Sequence, residues 1–121
     1  MLAKKYRLKS RPLFKRTLNS GARLCANRCF VVYTVPASDE RPQHPPRFGF
    51  IVSRKVHLRA NRRNRIKRRL REIARRDIVP SGRASACAAI VIIARSGMLQ
   101  ASYAEIRHLI MGCFTQRAGV S

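Results

Sequence analysis

The apolar positions of the chain change period several times, and each change marks an element. CFVVYTV at 29–35 is β-branched and aromatic, sets Cys29, Val31, Tyr33 and Val35 against Phe30, Val32 and Thr34, and stops at Pro36, which predicts a strand. RFGFIVSR at 47–54 predicts a second. CAAIVIIAR at 87–95 is an unbroken apolar run, the pattern of a strand buried on both faces, and Ser96-Gly97 then turns the chain. Helical spacing flanks these strands. Ser10 stands as N-cap ahead of Pro12, with Leu13, Phe14 and Leu18 on one face and Asn19-Ser20-Gly21 as the stop. Toward the other end Ser102-Tyr103-Ala104-Glu105 has the form of a capping box, followed by a stripe of Ile106, Leu109, Ile110, Cys113 and Phe114.

A third helical pattern occupies 62–76. At 100° per residue Ile66, Leu70, Ile73 and Ala74 fall within about a third of the circumference. Asn64, Arg68, Arg71 and Arg75 fall opposite, and Arg65, Arg69 and Arg76 lie along one flank. Arg63 falls inside the apolar arc, where a buried guanidinium needs a partner; the expectation is that the first turn overhangs the sheet and aims Arg63 at an anion, with the exposed helix N–H groups adding to the attraction. The elements run helix, strands, helix, strand, helix, an α+β sandwich without internal repeats. The connection PASDERPQHPP holds four of the six prolines and two of the five acids, so 36–46 is expected to be a flexible, solvated loop. It is short enough for the strands on either side to pair antiparallel.

Composition sharpens this outline in one respect. A chain of 121 residues with 45% hydrophobic content fits a single domain, 1–121, with flexible ends. The net charge of +22 is far from ordinary, and within 54–76 twelve of twenty-three side chains are Lys or Arg against one acid, Glu72. Charge at that density repels itself unless a polyanion lies against it, and solubility alone is better served by mixed charges. Nucleic acid is therefore the expected partner. No apolar run reaches the roughly 18 residues of a membrane span, and no apolar segment follows the basic start, so no membrane partner and a cytoplasmic location are expected. The cysteines are then expected to be reduced thiols used for packing; Cys25 and Cys29 lie roughly 13 Å apart in extended chain, too far to share a metal without a tight turn. The acids Asp39, Glu40, Glu72, Asp77 and Glu105 and the histidines His44, His57 and His108 form no evident cluster, so neither a protein metal site nor a catalytic residue is assigned.

Local sequence goes further than charge. RNRIKR at 63–68, followed by RLRE at 69–72 and preceded by FGFIVSRKV at 48–56, resembles the signature of the protein subunit of bacterial ribonuclease P. The resemblance extends through RLK at 7–9, Phe14, Arg28 with FVVY at 30–33, and IIAR at 92–95, in the family's order. It implies a two-layer α+β sandwich in the order α-β-β-β-α-β-α, with a mostly antiparallel sheet and a left-handed βαβ crossover around the basic helix, against the usual right-handed rule. It also implies a monomeric protein, one per catalytic RNA, assisting that RNA in removing the 5′ leader of precursor tRNA, with Mg²⁺ held mainly by the RNA. On this resemblance Ser53, Arg54, Lys55, Arg59, Arg62, Arg63, Asn64, Arg65, Lys67 and Arg68 contact the catalytic RNA. Lys9, Phe14, Arg28, Cys29, Val31 and Tyr33 belong to a cleft between the first helix and the sheet that takes the single-stranded leader. Cys29 and Leu18 depart from the polar and aromatic side chains expected at their positions. A basic ribosomal or RNA-chaperone protein is the runner-up, and a membrane-surface protein is disfavoured by the folded core.

Overall fold

The computed structural model describes residues 6–8, 15, 17–19, 22–36, 46–81 and 87–120. Of the first helix, Lys15, Thr17, Leu18 and Asn19 are helical, whereas the proposed cap at Ser10 and the 37–45 part of the connecting loop lie outside the described residues. Strands β1 (Ala22–Ala26), β2 (Phe30–Pro36) and β3 (Arg47–Ile51) precede the basic helix α1 (Ala60–Ile73). The helical path continues through a π-helical segment, Ala74–Ile78, and a last α-turn, Val79–Ser81. Strand β4 (Cys87–Ala94), a 3₁₀ turn (Ser96–Gln100) and helix α2 (Tyr103–Val120) complete the fold.

The sheet order is β1-β2-β4-β3. β2 pairs antiparallel with β1 and with β4, while β3 pairs parallel with β4, so the sheet is mostly antiparallel and α1 forms the crossover of a βαβ unit. The expected pairing of the strands at 29–35 and 47–54 is thereby corrected: β4 lies between them. The reason is visible in β4 itself, whose Ala89, Ile90, Val91 and Ile92 are all buried. An all-apolar strand is stable only with a neighbour on each edge and a layer on each face.

The two faces carry separate cores. Toward α1 and α2, Phe30, Val32, Phe48, Ile90 and Ile92 pack with Ile66, Leu70, Ile73, Ala74, Ile106, Ile110 and Phe114. On the other face Val35, Ala89 and Val91 pack with Leu8, Leu18, Ile51 and Ile93. The stripe predicted on 62–76 is thus the one that holds α1 to the sheet. The expected cap of α2 is present, with the Glu105 N–H donating to Ser102 Oγ at 3.1 Å, while Arg107 ties α2 to Asp77 of the π-helical segment at 3.0 Å.

The cysteines depart from expectation. Cys25 and Cys113 form a disulfide between β1 and α2, with their Cα atoms 6.0 Å apart. The cause is a bulge in β1: the register passes from Arg23↔Tyr33 to Cys25↔Val32, skipping Leu24, so Leu24 and Cys25 both face the helices. Cys29, expected in the leader cleft, is 0% exposed within the helix-side core. It precedes β2 inside a tight turn and so escapes the alternation that sets Val31 and Tyr33 on the other face; a side chain so buried cannot contact a leader.

Candidate nucleic-acid interface

Because β3 and β4 are parallel and β2 starts opposite the end of β4, three connections meet at one end of the sheet. They are the β1–β2 turn, the segment from Val52 to Arg59, and the 3₁₀ turn after β4. The first is closed by Asn27, whose Oδ1 accepts from the N–H groups of Cys29 at 2.8 Å and Phe30 at 3.0 Å. Arg95 holds it from outside, its N–H donating to the Cys29 carbonyl at 2.8 Å and its guanidinium to the Asn27 carbonyl at 3.0 Å. In the second connection the Val56 N–H returns to the Ser53 carbonyl at 3.0 Å, which ends β3 before Ser53 and leaves Ser53, Arg54 and Lys55 exposed on a turn.

Arg28, Ser53, Lys55, Val56, Ala94, Arg95 and Ser96 line one concavity of about 480 Å³ at this end. Arg28, which the family resemblance places in the leader cleft, therefore sits among residues that the same resemblance places against the catalytic RNA. Its guanidinium bonds the Glu105 carboxylate of α2 at 2.8 Å, and that hydrogen bond and charge raise its pKa further above the ordinary arginine value. A second hollow, lined by His57, Arg59, Arg62 and Leu99, adjoins the start of α1.

Arg63 resolves differently from expectation. Its Nη1 donates to the carbonyls of His57 at 2.9 Å and Leu58 at 2.7 Å, so the guanidinium folds back over the chain leading into α1 instead of pointing past the core. The Arg59 N–H donates to His57 Nδ1 at 3.1 Å in the same loop. Leu58 is left 82% exposed at its tip. The rest of the motif does face outward: Arg59, Arg62, Asn64, Arg65 and Arg68 are exposed and Lys67 is half-buried. No side chain caps α1 and no acid stands in its first turn. Cations at that end oppose the helix dipole, an arrangement that becomes favourable when phosphate supplies the negative charge.

The opposite face of the sheet differs in character. Tyr33 is half-buried there, in register with Val91 and Gly49, and Val31 lies in the next row with Ile93 and Ile51. Val31 is buried, so it forms floor and not contact surface. Lys9 and Phe14 lie outside the described residues.

The acidic side chains among the described residues are paired with arginines: Glu105 with Arg28, Glu72 with Arg75 at 2.9 Å, and Asp77 with Arg107. The Arg75 hydrogen bond holds the Glu72 carboxyl below its usual range. Among the described residues no group of three His, Cys, Asp or Glu could hold a metal ion. No described helix is long and apolar enough to cross a membrane.

The family model for Ribonuclease P matches residues 2–117. The chain belongs to the ribonuclease P protein family. The ribonuclease P protein component of Symbiobacterium thermophilum is 40% identical over 119 residues, covering 98% of this chain and 96% of that protein. That of Geobacillus thermodenitrificans is 33% identical over 123 residues, with 98% and 92% covered. Among solved structures, the ribonuclease P protein of Staphylococcus aureus superposes with a TM-score of 0.74 at 30% identity, over 93% of this chain and 94% of its own. The Thermotoga maritima ribonuclease P protein gives 0.73 at 28% identity, over 91% and 96%. This chain is accordingly a ribonuclease P protein component, part of the tRNA-processing ribonucleoprotein. Sequence reasoning overlooked Arg95 as a support of the β1–β2 turn, since its partners are distant backbone groups that no local pattern shows.

Proposed function

We propose that this ribonuclease P protein is a two-sided adaptor. The basic end of the sheet and the N-terminal half of α1 bind the catalytic RNA, and the opposite sheet face, around Tyr33, holds the single-stranded 5′ leader of precursor tRNA. What carries this reading is the separation of two surfaces by one sheet: an arginine array around an uncapped helix start, and a half-buried aromatic on a strand face away from it. Arginine forks suit phosphates, whereas an aromatic on a strand face suits the bases of an unpaired strand with little sequence preference.

In this scheme the RNA contributes the active site for phosphodiester hydrolysis and holds the Mg²⁺, and the protein contributes affinity and alignment. A monomer, one per catalytic RNA, suffices, and the cytoplasm is the compartment in which the chain works. A generic RNA chaperone shares the charge but has no reason to distinguish a tRNA with a leader from one without. The test is to assemble the protein with a bacterial ribonuclease P RNA and to titrate precursor and mature tRNA. Tighter binding of the precursor, lost when the protein is omitted, is the expected result. Equal affinities would overturn the leader-binding half of the proposal.

A further inference from the structure

Resting on the leader-cleft reading, we propose that Arg23 is a phosphate-binding side chain of that cleft, set beside Tyr33 so that the two hold one stretch of the leader by backbone and by base. The β1–β2 register makes Arg23 and Tyr33 direct antiparallel partners. Residues opposite each other in such a ladder project from the same face with Cβ atoms about 4.5–5.5 Å apart. Arg23 is exposed and Tyr33 half-buried, so the cation stands at the open edge and the ring lies further in. None of the described carboxylates engages Arg23, since Glu72, Asp77 and Glu105 pair with Arg75, Arg107 and Arg28. Among the described residues its charge is available to a ligand.

The bulge explains how an arginine stays there. In a regular strand residues 23 and 25 would share a face. Here the register skips Leu24, which sends Leu24 and Cys25 to the helix-side core while Arg23 remains opposite Tyr33. The disulfide from Cys25 to Cys113 of α2 then prevents the edge strand from slipping by one residue, a slip that would turn Arg23 away from the cleft. The occupant is the leader and not the catalytic RNA, because this face is the one α1 does not cover.

A charge on an edge strand can also serve only to block pairing with another sheet, and the experiment separates the two roles. Holoenzyme assembled with wild-type, Arg23→Ala or Arg23→Lys protein is titrated with precursor and mature tRNA across a salt series. Arg23→Ala is expected to weaken precursor binding about threefold to tenfold. Its salt slope should fall by about 0.7, the value for one phosphate on a single strand. Mature tRNA should bind as before, and Arg23→Lys should keep most of the slope. Unchanged precursor affinity in Arg23→Ala, with or without self-association of the variant, would overturn the proposal, as would equal losses for both tRNAs. If wild-type holoenzyme itself fails to prefer the precursor, the leader-cleft reading falls first and takes this inference with it.

Discussion

Gly97 lies so close to Arg28 that a Cβ built on it would meet the Arg28 carbonyl oxygen at 2.4 Å and the carbonyl carbon at 2.9 Å. The 3₁₀ turn after β4 is therefore seated on the backbone of the β1–β2 turn, and only glycine permits the approach. Gly97→Ala should displace that turn and destabilise the protein by about 1–3 kcal/mol, measured by urea unfolding. A variant as stable as wild type would mean the turn gives way freely.

The Cys25–Cys113 disulfide spans 88 residues, and a cross-link over so long a loop restricts the unfolded chain strongly. Reduction, or Cys113→Ser, is expected to lower unfolding free energy by about 2–4 kcal/mol in paired denaturation curves with and without a dithiol. Thiol labelling of the unreduced, denatured protein should find Cys29 reactive and Cys25 and Cys113 protected.

Arg63 and Arg65 are neighbours in one motif with different expected roles. Arg65→Ala should weaken assembly with the catalytic RNA and lower the salt slope by about one unit, with stability unchanged. Arg63→Ala removes the hydrogen bonds to the His57 and Leu58 carbonyls, so it should cost stability by about 1 kcal/mol as well as affinity. Arg63→Lys should restore only part of the loss, because both carbonyls are served by the one Nη1 at the end of the longer arginine side chain, which the shorter lysine does not reach as well. Identical behaviour of the two alanine variants in urea would contradict this division.

Leu70 is buried on the sheet-facing side of α1 among arginines that face outward. Leu70→Ala should destabilise by about 2–5 kcal/mol while leaving the RNA salt slope near wild type at temperatures where the variant is folded. A reduced slope in the folded variant would show that the helix had rotated.

Much of this was legible in the residues themselves. The period of Ile66, Leu70, Ile73 and Ala74 placed α1 on the sheet, and the continuous apolar run of β4 foretold its burial on both faces but not its place between β2 and β3. The strand at 22–26 was harder to see, because it is short and its bulge breaks the alternation at Leu24. The disulfide was illegible for the same reason: Cys25 reaches the helix side only through that bulge, and its partner is remote in sequence. Arg63 shows a different limit of periodicity. Its angle assigned it to the core, but an arginine is long enough to leave its backbone position and satisfy carbonyls six and five residues earlier. Resemblance to a family supplied what no periodicity contains, the division of the surface between a catalytic RNA and a leader.

The most direct measurement is cleavage of precursor tRNA by a bacterial ribonuclease P RNA at a Mg²⁺ concentration too low for the RNA alone. Added protein should restore cleavage at the mature 5′ end. Arg65→Ala should restore it only at higher protein concentration, and Tyr33→Ala only at higher precursor concentration, its stacked base being worth about 1–3 kcal/mol of precursor binding. No restoration by the wild-type protein, or the same deficit in both variants, would contradict the two-sided adaptor.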